Sequence, residues 1–224
     1  MMPLQKSKKI FIYIFLFLIF ATFNNKNLND VNFFKIIKIS IQGLDDKNNF
    51  ELVENLDFLM NKNIFLLDKV EIENTIEINS LVERYSVFIL YPSSIKIKIH
   101  KTNFLALVKK GNNNFLLGSN GKLIKTNELS HNLPSIFGDF ETKNFFELKN
   151  AMDETNFNFD EVKNLFFFKS GRWDIETKQG FFIRLPNQHL KKSLKTFVSF
   201  FKINNLEGIK EIDLRQNNQI ITNE

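Results

Sequence analysis

The chain has 224 residues, enough for one large or two small domains, and its 43% hydrophobic and 25% charged residues are typical of a globular protein. A net charge of +5 is basic enough for a nucleic-acid partner, but only four basic residues are arginines, and Asp and Glu are interleaved with the lysines. Since nucleic-acid binders usually concentrate basic residues on one face, we predict no nucleic-acid partner. The absence of cysteine excludes disulfides and thiolate metal sites.

The first element is an uncharged apolar segment from Ile10 to Phe23. A helix of this length is about 21 Å long, which is short of the roughly 30 Å hydrocarbon layer. Lys8 and Lys9 can extend it, because lysine buries its alkyl stem and lifts its ammonium group to the headgroups. We predict an uncleaved transmembrane anchor over residues 10–25. A cleaved signal peptide is the alternative, although Ala21-Thr22-Phe23 is a poor cleavage site.

The flanking charges predict the orientation of this anchor. Lys6, Lys8 and Lys9 precede it, whereas Lys26 is the nearest cation after it. The positive-inside rule therefore predicts a cytoplasmic N-terminus over residues 1–9, with the rest of the chain outside the cytoplasm. The Asn-rich residues 26–34 are predicted to be a linker.

Residues 35–101 are predicted to form a small α+β domain that opens with a strand and two helices. Isoleucines alternate with polar residues from Lys35 to Gly43, which is typical of a strand with one buried face. Leucines and isoleucines at helical spacing follow, and we predict caps for the two helices at Asn49 and Asp68.

Two further strands complete this β-α-α-β-β unit. They are predicted over Leu81–Leu90 and Ser94–His100, around a turn at Tyr91-Pro92-Ser93. In the second strand isoleucines alternate with lysines and a histidine, so one face is predicted to be apolar and the other basic.

Residues 102–224 are predicted to form a sheet-dominated β domain with two helices. The helices are expected at Asn144–Met152 and over the strongly amphipathic stretch His189–Phe201. Glycine- and asparagine-rich turns separate the predicted strands, which are Phe104–Val108, Phe115–Leu117, Lys122–Ile124, Val162–Phe168, Trp173–Glu176, Gly180–Leu185 and a terminal strand within Ile209–Ile221.

The sequence offers no recognisable catalytic constellation. The three histidines are widely separated, and neither a zinc-binding spacing, a nucleophile elbow nor a phosphate-binding loop is present. We therefore predict no cofactor, no metal and no enzymatic activity. The remaining candidates are surfaces, because an edge strand can accept an additional strand from a partner. Ile209–Ile221 is the best candidate for such an edge, and an internal last strand is the alternative.

An ordered set of short motifs resembles the FtsQ/DivIB family of bacterial division proteins. The set covers nearly the whole chain in the family's order, and its members are "KIIKISIQG", "NIFLLD", "RYSVFILYPSSIKIKI", "GSNGKLI", "LPSIFGDF", "RWDIETKQGFFIRLP" and "IKEIDLR".

This resemblance implies a fold and a function. The fold class is α+β, with a single N-terminal transmembrane helix, a POTRA domain over residues 35–101 and an FtsQ-type β domain over residues 102–224. The function is that of a non-enzymatic bitopic scaffold in the inner membrane, with its C-terminal domains in the periplasm, that links early and late proteins of the divisome at the septum. The implied partners are FtsB- and FtsL-like proteins, and the implied FtsB-binding residues are Ile212, Asp213, Leu214, Arg215, Gln216, Gln219, Ile220 and Ile221.

Two other functions remain open from the sequence. A POTRA-bearing envelope assembly or secretion factor is the main alternative, although such proteins normally carry repeated POTRA units before a membrane barrel and only one unit is visible here. An extracytoplasmic enzyme would need a convergent polar pocket that the sequence does not reveal.

Overall fold

The computed structural model describes residues 7–23, 34–127, 132–202, 208–216 and 219–223. The predicted segments 1–9 and 26–34 thus lie largely outside the described residues. The chain divides into two compact units, of which unit 1 comprises Met1–Ile78 with Tyr85–Ile99 and unit 2 comprises Asn79–Arg84 with His100–Glu224.

The first helix requires a correction of the predicted fold class. Helix α1 (Ser7–Phe23) has 17 residues, which corresponds to about 26 Å. Within the described ranges, no helix combines the length and the apolar character needed to cross a membrane. The predicted transmembrane anchor over residues 10–25 is therefore wrong.

Unit 1 contains a three-stranded sheet and two α-helices. The sheet has the order β1-β3-β2, and β1 runs parallel to β3 with Ile39 opposite Ile95. Two short 3-10 helices, Asp57–Leu59 and Ile64–Leu66, connect the α-helices. The elements in chain order are β1 (Lys38–Gln42), α2 (Asp46–Asn55), α3 (Lys69–Ile78), β2 (Val82–Leu90) and β3 (Ser94–Lys101).

Unit 1 has two layers, a sheet and a pair of helices, and the alternating isoleucines of β3 face the helices. Its three isoleucines are buried, together with Leu52 of α2 and Ile72 and Ile76 of α3. Asp68 caps α3 as predicted, since its carboxylate accepts a hydrogen bond from the Val70 amide at 2.9 Å. The cap prediction for α2 is wrong, because Asn49 lies inside the helix and bonds to the backbone of Leu44.

Unit 2 contains a nine-stranded mixed sheet in the order β12-β11-β10-β9-β8-β7-β4-β5-β6. Its elements in chain order are β4 (Phe104–Lys110), β5 (Asn113–Gly118), β6 (Leu123–Thr126), β7 (Ser135–Phe137), α4 (Thr142–Glu154), β8 (Val162–Phe167), β9 (Trp173–Thr177), β10 (Phe182–Arg184), α5 (Leu190–Phe201), β11 (Glu211–Asp213) and β12 (Ile221–Asn223).

Two strands of this sheet differ from the prediction. Strand β7 lies in a stretch that has no strand in the prediction, and it pairs parallel with both β4 and β8. The terminal strand predicted within Ile209–Ile221 is divided in the structure, since two short strands form at this end of the chain. Strands β11 and β12 pair antiparallel, with Ile212 opposite Thr222.

The core of unit 2 lies on one face of its sheet. Ile136, Ile175 and Ile212 point to this face from three strands, and Phe145 of α4 and Phe197 of α5 belong to the same buried cluster. Trp173, at 1% exposure, fills the space among them and packs against the Phe167 ring at 4.8 Å. Helices α4 and α5 thus cover this face of the sheet.

Two glycines of unit 2 provide a test of this packing. Gly138 has a φ of +106°, and a Cβ atom there would lie 2.2 Å from the carbonyl oxygen of Phe167. Gly111 has a φ of +56° and no neighbour within 4 Å of such an atom. We expect Gly111→Ala to lower the free energy of unfolding by about 1–2 kcal/mol, the cost of a left-handed alanine. Gly138→Ala adds a steric clash and should cost at least about 3 kcal/mol.

Urea unfolding followed by Trp173 fluorescence measures this difference, because the single tryptophan reports on unit 2. Equal losses in the two variants would contradict the close approach of Gly138 to the adjacent strand.

Candidate protein-interaction site

Strand β12 forms one edge of the nine-stranded sheet. It pairs with β11 on one side, and no described strand pairs with its other side. All three of its residues are exposed, and Ile221 is 49% exposed. An edge strand of this kind presents unpaired backbone N–H and C=O groups to a potential partner.

The residues predicted from the sequence to bind a partner divide into buried and exposed groups. Ile212 and Leu214 are 0% and 3% exposed and pack in the core of unit 2. Ile220 is partly buried against the same core. The exposed members are Arg215, Gln216, Gln219 and Ile221. They lie on β12 and on the connection that leads to it, where the Gln219 amide donates to the Gln216 carbonyl.

Backbone hydrogen bonds and one ion pair join β11 to β10, its neighbour on the side away from β12. It runs parallel to β10, with Ile183 opposite Ile212 and Arg184 opposite Asp213. The Leu214 amide donates to the Arg184 carbonyl, and the Phe182 amide donates to the Lys210 carbonyl, both at 2.9 Å. The Arg184 guanidinium also donates to the Glu211 carboxylate.

A row of charged side chains crosses the open face of the sheet toward β12. Asp174 of β9, Arg184 of β10 and Asp213 of β11 are successive partners, and Ile221 of β12 follows in the same row. Arg172 and Arg215 adjoin this row through Asp174 and Asp213. Three of the four arginines of the chain therefore converge at this part of the sheet.

The pKa values of the two aspartates in this row shift in opposite directions. The Arg215 Nε atom lies 2.9 Å from both carboxylate oxygens of Asp213. These hydrogen bonds lower the pKa of Asp213 despite partial burial. The Arg172 Nε atom is 3.6 Å from Asp174 Oδ1, and neither buried atom has a hydrogen bond among the described residues. Desolvation therefore outweighs the nearby arginines and raises the pKa of Asp174.

The sequence analysis missed a second exposed surface, on β2 of unit 1. Val87 to Leu90 are each at least 36% exposed, and β2 is an edge of the three-stranded sheet. A groove of about 580 Å³ runs along this strand, lined on its other side by Phe65, Ile72 and Glu73. The signal was present in the sequence, since the uninterrupted apolar run from Val87 to Leu90 lacks the alternation of a one-sided strand.

No polar cluster suggests metal chemistry in the described part of the chain. Groups of three or more His, Asp or Glu side chains with metal-binding geometry do not occur among those residues.

Comparisons with known proteins find a family match that lies within unit 2. A family model described as the C-terminal domain of the cell division protein FtsQ/DivIB matches residues 106–215. The cell division protein FtsQ of Rickettsia bellii (strain RML369-C) is 25% identical over 189 residues, which are 83% of this chain and 71% of the relative. FtsQ of Rickettsia prowazekii (strain Madrid E) is 24% identical over 191 residues, with the same coverage of both chains.

A solved structure of the major extracytoplasmic domain of the trans isomer of the division protein DivIB from Geobacillus stearothermophilus is also similar. It has a TM-score of 0.34 and 14% sequence identity, and it covers 44% of this chain and 90% of that chain. The ordered motifs, the family model and the Rickettsia relatives together confirm the resemblance: the chain is similar to cell division proteins of the FtsQ/DivIB family over most of its length.

Proposed function

We propose that the protein is a non-catalytic scaffold of the cell division machinery that links early and late division proteins at the septum. In this proposal β12 accepts an additional strand from an FtsB-like protein paired with an FtsL-like protein. Residues 102–224 form the partner-binding β domain, and residues 35–101 form a POTRA domain that makes other division contacts. The similarity of the chain to FtsQ/DivIB cell division proteins supports the role in division.

The observation that carries this proposal is the exposed edge of β12. Added strands gain affinity from main-chain hydrogen bonds, whereas specificity comes from pockets for alternate side chains. On β12 the exposed Ile221 side chain lies on the open face of the sheet. Gln216 and Gln219 lie on the connection to β12, where their amide groups can bond to a partner's backbone.

The strands behind β12 support it as a pre-formed binding edge. Ile212 and Leu214 anchor β11 in the core, and Arg184 joins β10 to β11 through Glu211. A partner strand that meets a rigid edge loses less binding free energy to ordering than one that must first order the edge. We therefore assign Ile212 and Leu214 a supporting role, and we assign partner contact to Arg215, Gln216, Gln219 and Ile221.

Strand addition at β12 is tested by changing its backbone. Thr222→Pro removes a backbone N–H and introduces a ring that obstructs a neighbouring strand. We expect the affinity for a purified FtsB–FtsL pair to fall at least about tenfold. Ile221→Asp leaves the backbone intact and should also weaken binding, because the exposed isoleucine would contact the partner.

Lys125→Pro is the matched control, since β6 is the opposite edge of the same sheet. Biolayer interferometry with the immobilised FtsB–FtsL pair measures the affinity of all three variants. In this assay Lys125→Pro should bind the pair as tightly as the unchanged chain. Unchanged affinity in both β12 variants, or an equal loss in Lys125→Pro, would contradict strand addition at β12.

The charged row predicts opposite effects of two conservative substitutions. Because the pKa of Asp213 is lowered in the fold, its carboxylate stabilises the fold above its unfolded pKa, and this stability is lost as pH falls through the folded pKa. Asp213→Asn should therefore lower the free energy of unfolding at pH 7 by about 0.5–1 kcal/mol, and the difference should shrink below about pH 4.

The pKa of Asp174 is raised in the fold, so its ionised carboxylate lowers the free energy of unfolding. This loss develops as pH rises above the unfolded pKa and is complete above the folded pKa. Asp174→Asn should leave the free energy of unfolding at pH 7 unchanged or raise it. Urea titrations of both variants at pH 7 and at about pH 3.5 measure the two effects. A loss at pH 7 in Asp174→Asn as large as that in Asp213→Asn would show that desolvation does not dominate at Asp174.

A further inference from the structure

One face of the three-stranded sheet of unit 1 carries charge of a single sign. The isoleucines of β1 and β3 point to the core, so their neighbours point away from the helices. The Lys98 ammonium lies 5.5 Å from the centre of the Phe88 ring, which places the even-numbered residues of β2 on the same side. We call this surface the basic face, and it consists of Lys38, Ser40, Gln42, Ser86, Phe88, Leu90, Ser94, Lys96 and Lys98.

No acidic residue interrupts the basic face. The segments Lys38–Gln42, Tyr85–Leu90 and Ser94–Lys101 contain no Asp or Glu at all. The two helices that cover the opposite face of the sheet have the reverse balance, with six acidic and two basic residues, namely Asp46, Glu51, Glu54, Glu71, Glu73, Glu77, Lys47 and Lys69. In the electric field of an anionic surface, this separation of charge would turn unit 1 so that its sheet faces that surface.

The residue types on the basic face favour a lipid surface over a protein partner. Its cations within unit 1 are all lysines, which are depleted at protein interfaces, whereas arginine is enriched there. Lysine instead suits diffuse contact with anionic headgroups, because its long stem lies along apolar groups while its ammonium reaches the phosphates. Phe88 and Leu90 are 43% and 49% exposed beside these lysines.

We propose that the basic face of unit 1 docks on an anionic lipid surface. Lys38, Lys96 and Lys98 contact the headgroup phosphates, and Phe88 and Leu90 enter the boundary between the headgroups and the acyl chains. This contact is peripheral, since it needs no segment that crosses the bilayer. It uses none of the residues proposed to bind a partner at β12.

A label on the basic face tests this inference in the full chain. Because the chain has no cysteine, Ser86→Cys accepts a single environment-sensitive bimane label, and Asn74→Cys places the same label on the exposed side of α3. The probes are vesicles of phosphatidylcholine alone and vesicles with about 30% phosphatidylglycerol. We expect a blue shift only at position 86, only with phosphatidylglycerol, and decreasing from about 50 mM to about 500 mM NaCl.

A pair of matched charge variants completes the experiment. Lys96→Glu with Lys98→Glu should weaken the vesicle-dependent shift at least about 25-fold in lipid concentration, since each lysine near an anionic surface contributes about fivefold. Lys47→Glu with Lys69→Glu makes the same change in net charge on the helix layer and should have little effect. Thermal unfolding of both double variants verifies that they fold.

Three outcomes would overturn the proposal. Equal shifts at positions 86 and 74 would mean that adhesion through another part of the chain, such as α1, brings both labels to the membrane. Equal weakening by the two double variants would show that vesicle binding depends on the net charge of the chain and not on the basic face. A shift with poly-glutamate but not with anionic vesicles would assign the basic face to an acidic protein.

Discussion

Helices α4 and α5 cover only one face of the nine-stranded sheet of unit 2, and the other features of this unit depend on that one-sided burial. Trp173, Phe145 and Phe197 occupy the covered side with the isoleucines of the central strands. The opposite face is free to carry the charged row from Asp174 to Asp213. Since β11 contributes Ile212 to the covered side, the core holds the last pair of strands in place and leaves the outer side of β12 accessible.

The same physical division recurs within unit 1, which has its own core. Alternating isoleucines bury one face of its sheet under α2 and α3, and alternating lysines occupy the other. The basic face of unit 1 and the charged row of unit 2 are therefore consequences of strand periodicity, because each buried residue forces its neighbour outward. The edge of β12 has a different origin, since it follows from the position of this strand at the end of the sheet.

Much of the local structure could be predicted, whereas the pairing of distant strands could not. The alternation in β3 and the apolar stripe of α5 predicted those elements closely, because each pattern is local. Strand β7 was missed since its three residues gain their structure from β4 and β8 on either side. The eight candidate residues near the C-terminus lie on or beside β11 and β12, but only the structure separates the buried Ile212 and Leu214 from the exposed Ile221. The anchor prediction was wrong, since no helix among the described residues, including the 17-residue α1, has the length and apolar character needed to cross a membrane.

The central claim is that β12 is an open edge that a partner strand completes. Amide hydrogen exchange of the full chain, with and without a purified FtsB–FtsL pair, tests this most directly, because a new strand would protect the outward-facing amides of its neighbour. The account predicts that exchange slows in residues 219–223 on binding, with smaller changes in residues 208–216. Binding of the pair that leaves the exchange of residues 219–223 unchanged and protects other strands would contradict it.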